Sequence, residues 1–151
     1  MANKGMAEAE RTNSDSLDWL DWCDLPNQVR QYGDYWHRLV CEAAGQPDLE
    51  PDEFVQHVYW LVPLAQALQK HASLQRLYPF IHHAVLDLRP VPDRSVAGES
   101  IMLFARAPGH FDATRVKHSS TTGQSEREEL AVGEAQHVAA AVAQAVTTAA
   151  A

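Results

Sequence analysis

The sequence predicts an α+β protein in which N-terminal amphipathic helices pack on a small antiparallel sheet of about three strands, closed by a C-terminal helix. Before Tyr78, apolar residues recur every three or four positions, which is typical of helices; after it they alternate, which is typical of strands. Helices and strands also come in separate runs, which favours α+β over a parallel βαβ sheet. We expect one domain over residues 15–148, with a disordered tail over 1–14 and a frayed tail over 149–151.

Composition and charge restrict the classes of function. The chain of 151 residues is 46% hydrophobic, enough for one core without disulfides, and its formal net charge is −8. An acidic chain repels a phosphate backbone, so we expect no nucleic-acid partner. The first residues lack the apolar stretch of a signal peptide, and no run reaches the ~20 apolar residues that span a bilayer. These features predict a cytoplasmic protein that does not enter a membrane.

The N-terminal third is predicted to be helical. Residues 16–24 could form a short helix capped by Ser16. A longer helix begins near Pro26, whose ring suits a first turn, and ends at Gly45, a favourable C-terminal residue. Its apolar stripe comprises Val29, Tyr32, Trp36, Leu39, Val40 and Ala43.

A second helix opens at Pro51, and the acids Asp52 and Glu53 complement its positive end. Pro63 lies inside its apolar pattern, removes a backbone donor and clashes with the preceding turn, so we expect a kink or break near Leu61. The stripe comprises Phe54, Val55, Val58, Leu61, Val62, Ala65 and Leu68.

Three strands are predicted after the helices. The first, Ala84–Arg89, alternates between two faces, as a sheet with one buried side requires. The second spans about Ser100–Arg106 and the third Phe111–Lys117, and the turn signal at 107–110 joins them as a hairpin. Residues 118–124 are predicted to be a loop.

The last predicted element is a helix that starts at Ser125. Ser125 and Glu128 match a capping box, in which each side chain bonds a free backbone amide of the first turn. The Ala-rich C-terminal helix also suits contact with a second copy, so a homo-oligomer stays open. Its apolar face comprises Leu130, Ala131, Ala135, Val138, Ala139, Val142 and Val146.

Candidate catalytic residues lie on the first predicted strand. His83, Asp87 and Arg89 share one face at two-residue spacing, so a base, an acid and an anion clamp could line an exposed sheet face. Such a row is also typical of a solvated face. His82 and His83 fit no metal-ligand spacing, and the sequence contains no phosphate loop, dinucleotide fingerprint or nucleophile elbow. We therefore expect no cofactor and no metal.

Other residues indicate binding rather than catalysis. Trp19 and Trp22 lie in an acidic aromatic segment that docks either on its own domain or on a protein partner. Cys23 and Cys41 are expected to be free thiols, although a disulfide between them stays open, and Cys41 is expected to be a small core residue. A group of cations either balances neighbouring acids or forms an anion-attracting patch: Arg89, Arg94, Arg106, Arg115 and Lys117.

The stretch SLQRLYPFIHHAVLDL, preceded by the Leu- and Ala-rich helix Val62–Ala72, resembles an uncharacterised bacterial family labelled natural product biosynthesis protein. The chain departs from the family at Ile81-His82, where small hydroxyl residues are usual, and again after Pro90. The resemblance implies a helix, a turn, strands and a closing helix in a biosynthetic context, with no catalytic residues to carry over. The matching positions are Leu74, Leu77, Tyr78, Pro79, Phe80 and His83.

These observations favour a non-enzymatic accessory or protein-binding module of a bacterial pathway. The alternative is a small enzyme or small-molecule-binding domain that uses the sheet face around His83, Asp87 and Arg89.

Overall fold

The computed structural model describes residues 19–92, 98–119 and 121–150. Within these ranges the chain forms four α-helices, five strands and two 3-10 helices, the latter at Trp22–Asp24 and Ala72–Arg76. The predicted tail over 1–14 lies outside the described residues. The helices are α1 (Leu25–Ala44), α2 (Glu53–Trp60), α3 (Val62–Gln69) and α4 (Ala135–Ala150), and the strands are β1 (Tyr78–His82), β2 (Val85–Arg89), β3 (Glu99–Ala107), β4 (His110–His118) and β5 (Ser125–Gly133).

Helix α1 has the bounds that its sequence signals predict. Pro26 lies in the first turn, where a missing N–H costs nothing. Gly45 adopts φ 69°, and its N–H donates to Glu42 O at 3.2 Å. This left-handed conformation favours glycine, which explains why the helix ends there.

The break between α2 and α3 falls at Leu61, as Pro63 predicted. Pro63 occupies the first turn of α3, where its missing N–H is harmless, so the stripe continues as two short helices instead of one. Asp52 begins α2 by accepting a hydrogen bond from Val55 N at 2.9 Å.

The predicted short helix over 16–24 is only partly correct. Its described part is a 3-10 helix over Trp22–Asp24, and its cap is Asp21, whose carboxylate accepts from Cys23 N at 3.0 Å. Ser16, the predicted cap, lies outside the described residues. Leu20 N donates to Pro79 O at 2.6 Å, so this segment runs beside the free edge of β1.

The sheet is antiparallel in the order β1-β2-β3-β4-β5, so the prediction of about three strands was short by two. Strand β1 covers the Tyr-Pro-Phe stretch, where the family resemblance implied a turn. The turn instead lies at His83 and Ala84, which connect β1 to β2. Proline is tolerated in a strand at a sheet edge because the lost donor leaves no neighbour unpaired. The β3–β4 hairpin is confirmed.

The predicted capping box at Ser125 and Glu128 is wrong. Both residues belong to β5, which pairs with β4 from Phe111 to His118, and α4 begins only at Ala135. Local signals favoured a helix because glutamate, leucine and alanine are good helix formers. Backbone pairing with β4 overrides that propensity, and the cross-strand ion pair of Arg115 and Glu128, 3.3 Å apart, supports the register.

All four helices contribute to one apolar core against a single face of the sheet. Cross-strand pairing puts Tyr78, Phe80, Asp87, Met102 and Thr114 on the second face. The buried apolar residues on the helix-facing side of the sheet are Ile81, Leu86, Leu88, Ile101, Leu103, Ala105, Phe111, Ala113 and Ala131. In the part of the chain that is described, no helix is both long and apolar enough to cross a membrane.

Candidate functional site

Two of the three predicted strand residues meet on the second face of the sheet. Arg89 Nε donates to Asp87 Oδ2 at 2.9 Å, and His82 Nε2 lies 3.5 Å from the same oxygen. Asp87 is only 1% exposed, so its carboxylate is enclosed by these partners instead of facing solvent. Its other oxygen, Oδ1, is buried and has no hydrogen-bond partner in the described part of the chain.

The environment of Asp87 controls its ionisation. Burial opposes the charged form, but the hydrogen bonds from His82 and Arg89 and the charge of Arg89 outweigh it, so the pKa of Asp87 is lowered. Asp87 is therefore a carboxylate held between the Arg89 guanidinium and the His82 imidazole. This arrangement is typical of a structural ion pair and unsuited to proton transfer at neutral pH.

His83 does not lie on the strand face where the sequence placed it. It occupies the β1–β2 turn with φ 51° and is exposed, while His82 takes the position beside Asp87. The reason is that β1 ends at His82, so the pleat that would align His83 with Asp87 is interrupted by the turn. The predicted trio is thus replaced by His82, Asp87 and Arg89.

The two tryptophans of the acidic segment have different environments. Trp22 Nε1 donates to Leu77 O at 2.8 Å, and Gln69 Nε2 donates to Trp22 O at 2.7 Å, so Trp22 is docked on its own domain. Trp19 is 45% exposed and meets the ring of Tyr78 edge-on at 5.2 Å between centroids. Of this pair, only Trp19 is a large apolar side chain exposed to solvent.

The predicted cationic patch does not assemble on one surface. Arg89 and Arg106 lie on the second face, where Arg106 forms an ion pair with Asp112, and Arg115 lies on the helix-facing side. Arg94 lies outside the described residues. Arg89, Arg106 and Arg115 therefore take part in separate ion pairs and do not form the single patch that the sequence suggested.

The site that sequence reasoning missed is a cleft where the sheet meets the last turn of α4, here called the Arg76 cleft. It encloses about 300 Å³ and its walls are mostly apolar. Residues distant in sequence build it, since the 3-10 helix before β1, strands β2 to β4 and helix α4 each contribute. The lining residues used below are Arg76, Leu88, Glu99, Ile101, Arg115 and Val146.

Two guanidinium groups hold the end of α4 at this cleft. Arg76 Nη2 donates to Val146 O at 2.6 Å, and Arg115 Nη2 donates to Ala145 O at 3.3 Å. Carbonyl groups in the last turn of a helix carry partial negative charge and attract cations. Both arginines therefore have a structural role, because they fasten the C-terminal part of α4 to the sheet.

The charges of the two arginines are not equally compensated. Arg115 is 16% exposed; its Nε lies 2.8 Å from Glu99 Oε1, at an angle too poor for a hydrogen bond, and its Nη1 lies 3.3 Å from Glu128 Oε1. Arg76 is exposed and forms no ion pair with an acidic side chain of the described residues. The cleft thus combines apolar walls with a cation, Arg76, that has no acidic partner within residues 19–92, 98–119 and 121–150.

Little in the sequence could have located this cleft. Arg76 follows a helical stretch and resembles a solvated residue, and Arg115 sits in a strand where cations commonly decorate an edge. The one available signal was that Arg115 alternates with Ala113, an apolar residue of the buried face.

A second cluster that the sequence analysis missed joins Cys41 with His37 near the end of α1, where Cys41 Sγ and His37 Nε2 lie 3.6 Å apart. Both cysteines are free, with Cys23 exposed and Cys41 buried. Among the described residues, no group of three or more His, Cys, Asp or Glu side chains could hold a metal ion. No protein-family model, curated protein or solved structure matches this chain.

Proposed function

We propose that the protein is a non-enzymatic binding module whose ligand is a small organic anion with an apolar body, held in the Arg76 cleft. The observation that carries this proposal is an apolar cavity of about 300 Å³ with a guanidinium at its rim that lacks an acidic partner among the described residues. Small-molecule sites are typically apolar concavities of this size or larger, with a few polar groups that fix orientation.

The ligand class follows from the walls of the cleft. Leu88, Ile101 and Val146 offer apolar contact, while Arg76 offers hydrogen-bond donors to a carboxylate. Arg115 is already paired with Glu99, so a ligand with a single negative charge suits the site better than a polyanion. The acidic residue of the lining, Glu99, is engaged by Arg115, which favours binding without chemistry.

Titration with octanoate, followed by isothermal calorimetry or NMR shifts, tests the proposal. Octanoate has about ten heavy atoms, and a binding free energy of about −0.4 kcal/mol per heavy atom corresponds to a Kd near 1 mM. Arg76→Gln should weaken octanoate binding at least about fivefold and leave the weaker binding of 1-octanol unchanged, because only the carboxylate uses the cation. Arg38→Gln, on the exposed face of α1, is the matched control.

A cleft-filling variant checks the location independently. Val146→Phe should abolish octanoate binding, since the added ring occupies the space between α4 and the sheet. Unchanged affinity in both Arg76→Gln and Val146→Phe, with folding verified by circular dichroism, would rule out the Arg76 cleft as the binding site.

A protein partner is a second candidate, which the exposure of Trp19 favours. The Trp19 ring packs edge-on against Tyr78. Its side chain is therefore already restricted, and a partner that binds it has to remove less conformational entropy. Affinity capture with Trp19→Ala should lose a partner that Phe104→Ala, at another exposed aromatic residue, retains. Equal recovery with both variants would contradict a role for Trp19. A place in a bacterial natural-product pathway rests on the resemblance of residues 74–89 alone and stays a prediction.

A further inference from the structure

The last two turns of α1 bring a thiol and an imidazole together. His37 and Cys41 are four residues apart, which puts them on one face of the helix. Cys41 Sγ lies 3.6 Å from His37 Nε2, within the range for a hydrogen bond to sulfur. Cys23, in contrast, is exposed in the 3-10 segment and its backbone N–H is bonded to Asp21, an acid.

Both side chains border a surface cavity at the end of α1. The cavity measures about 500 Å³, and its lining includes His37, Arg38, Cys41, Glu42 and Gln46. Cys41 retains 8% exposure and is one of the lining residues, so this cavity is the route by which a small reagent would approach the thiol. Cavity and dyad lie on α1 and the loop after it, apart from the residues of the Arg76 cleft.

The hydrogen-bonding state of His37 supports a role as proton acceptor. An imidazole that accepts the thiol proton at Nε2 carries its own proton at Nδ1. Nδ1 of His37 is buried and has no hydrogen-bond partner among the described residues. No described protein group therefore fixes the tautomer of the ring, and Nε2 is able to take the thiol proton.

We propose that Cys41 is a site of reversible mixed-disulfide formation, with His37 as the base that takes its proton. The oxidant is a low-molecular-weight disulfide. Cys41 Sγ attacks one sulfur of that disulfide, the new S–S bond forms, the old one breaks, and the leaving thiolate departs with its electron pair. The thiol proton passes to His37 Nε2. One disulfide is consumed and one is formed, so atoms and electrons balance.

Labelling kinetics with an aromatic disulfide, 5,5′-dithiobis(2-nitrobenzoate), test the proposal on two matched pairs. Cys23→Ser and Cys23→Ser/His37→Gln report on Cys41, while Cys41→Ser and Cys41→Ser/His37→Gln report on Cys23. We expect Cys41 to react about tenfold more slowly without His37, below the effect of a well-aligned general base because 3.6 Å is a long contact. Cys23 should react at the same rate in both backgrounds. Mass spectrometry should show that oxidised glutathione also adds to Cys41, and that this addition is slower in the His37→Gln background.

Three outcomes would overturn the proposal. The first is that Cys41 in native Cys23→Ser protein reacts only after denaturant is added. The second is a rate that stops rising with reagent concentration, because unfolding then limits it. The third is an equal rate with and without His37. Circular dichroism verifies folding of each variant, and His37→Asn replaces His37→Gln if the latter does not fold.

Discussion

The buried carboxylate of Asp87 should make stability depend on pH. Asp87→Asn should lower the free energy of unfolding at pH 7 by about 1–3 kcal/mol, because it removes the charge that His82 and Arg89 surround. The pKa of Asp87 is lowered from 3.8 in the folded state, so its contribution is complete above that value and is lost as pH falls through the folded pKa.

Urea denaturation at pH 7 and pH 3 measures this effect. The difference between wild type and Asp87→Asn should shrink at the lower pH, and Asp48→Asn, at an exposed position, should differ little from wild type at both. A difference that stays constant between the two pH values would show that the carboxylate charge is not what stabilises the fold.

His83 occupies a backbone conformation that favours glycine. At φ 51° a side chain crowds its own carbonyl at a cost of about 1–2 kcal/mol, whereas glycine does not. His83→Gly should therefore raise the free energy of unfolding by up to about 1 kcal/mol, once the greater chain entropy of unfolded glycine is subtracted. The thermal midpoint should rise with it. Ala84→Gly, at the neighbouring turn residue without a positive φ, should lower it. The same sign for both variants would contradict the argument.

At the scale of elements, α1 and α2 approach closely at Gly33. A Cβ there would lie 2.8 Å from Tyr59 Cε1 and 3.2 Å from Val58 Cγ1. The Tyr59 ring cannot move away freely, because its hydroxyl donates to Asp34 at 2.5 Å. Gly33→Ala should destabilise the protein by about 1–2 kcal/mol, since overpacking exceeds the gain in helix propensity of about 1 kcal/mol.

Chemical denaturation of Gly33→Ala beside Gln31→Ala checks this prediction. Gln31 is exposed on the same helix, so its replacement should change stability by no more than about 0.5 kcal/mol. A stabilised Gly33→Ala protein would mean that helix propensity outweighs packing between α1 and α2.

Elements with local signals were predictable, and elements defined by distant pairing were not. Pro26, Gly45 and Pro63 act on their own turns, so the bounds of α1 and the break before α3 follow from sequence. Strand β5 was misassigned because its residues favour a helix until β4 is beside them. The Arg76 cleft could not be predicted for the same reason, since its walls come from five separate stretches of chain.

At the scale of the whole molecule, Phe80 tests whether the sheet and the helices unfold together. Phe80 is fully buried in β1. Phe80→Ala should cost about 3–5 kcal/mol, and far-UV circular dichroism and tryptophan fluorescence should report the same lowered midpoint. Phe104→Ala, at a 36% exposed position of β3, should cost about 1 kcal/mol or less. An unchanged midpoint for Phe80→Ala would contradict its structural role.

The strand order makes β5 an edge strand of the sheet. Three glutamates of β5, Glu126, Glu128 and Glu129, are exposed. An unpaired ribbon is a template for stacking between molecules, and charges along it oppose such stacking. Because salt screens this repulsion, concentrated solutions should remain dispersed at low ionic strength and scatter more light as salt is added. We therefore expect the same glutamates that made this segment resemble a helix to oppose extension of the sheet by neighbouring molecules.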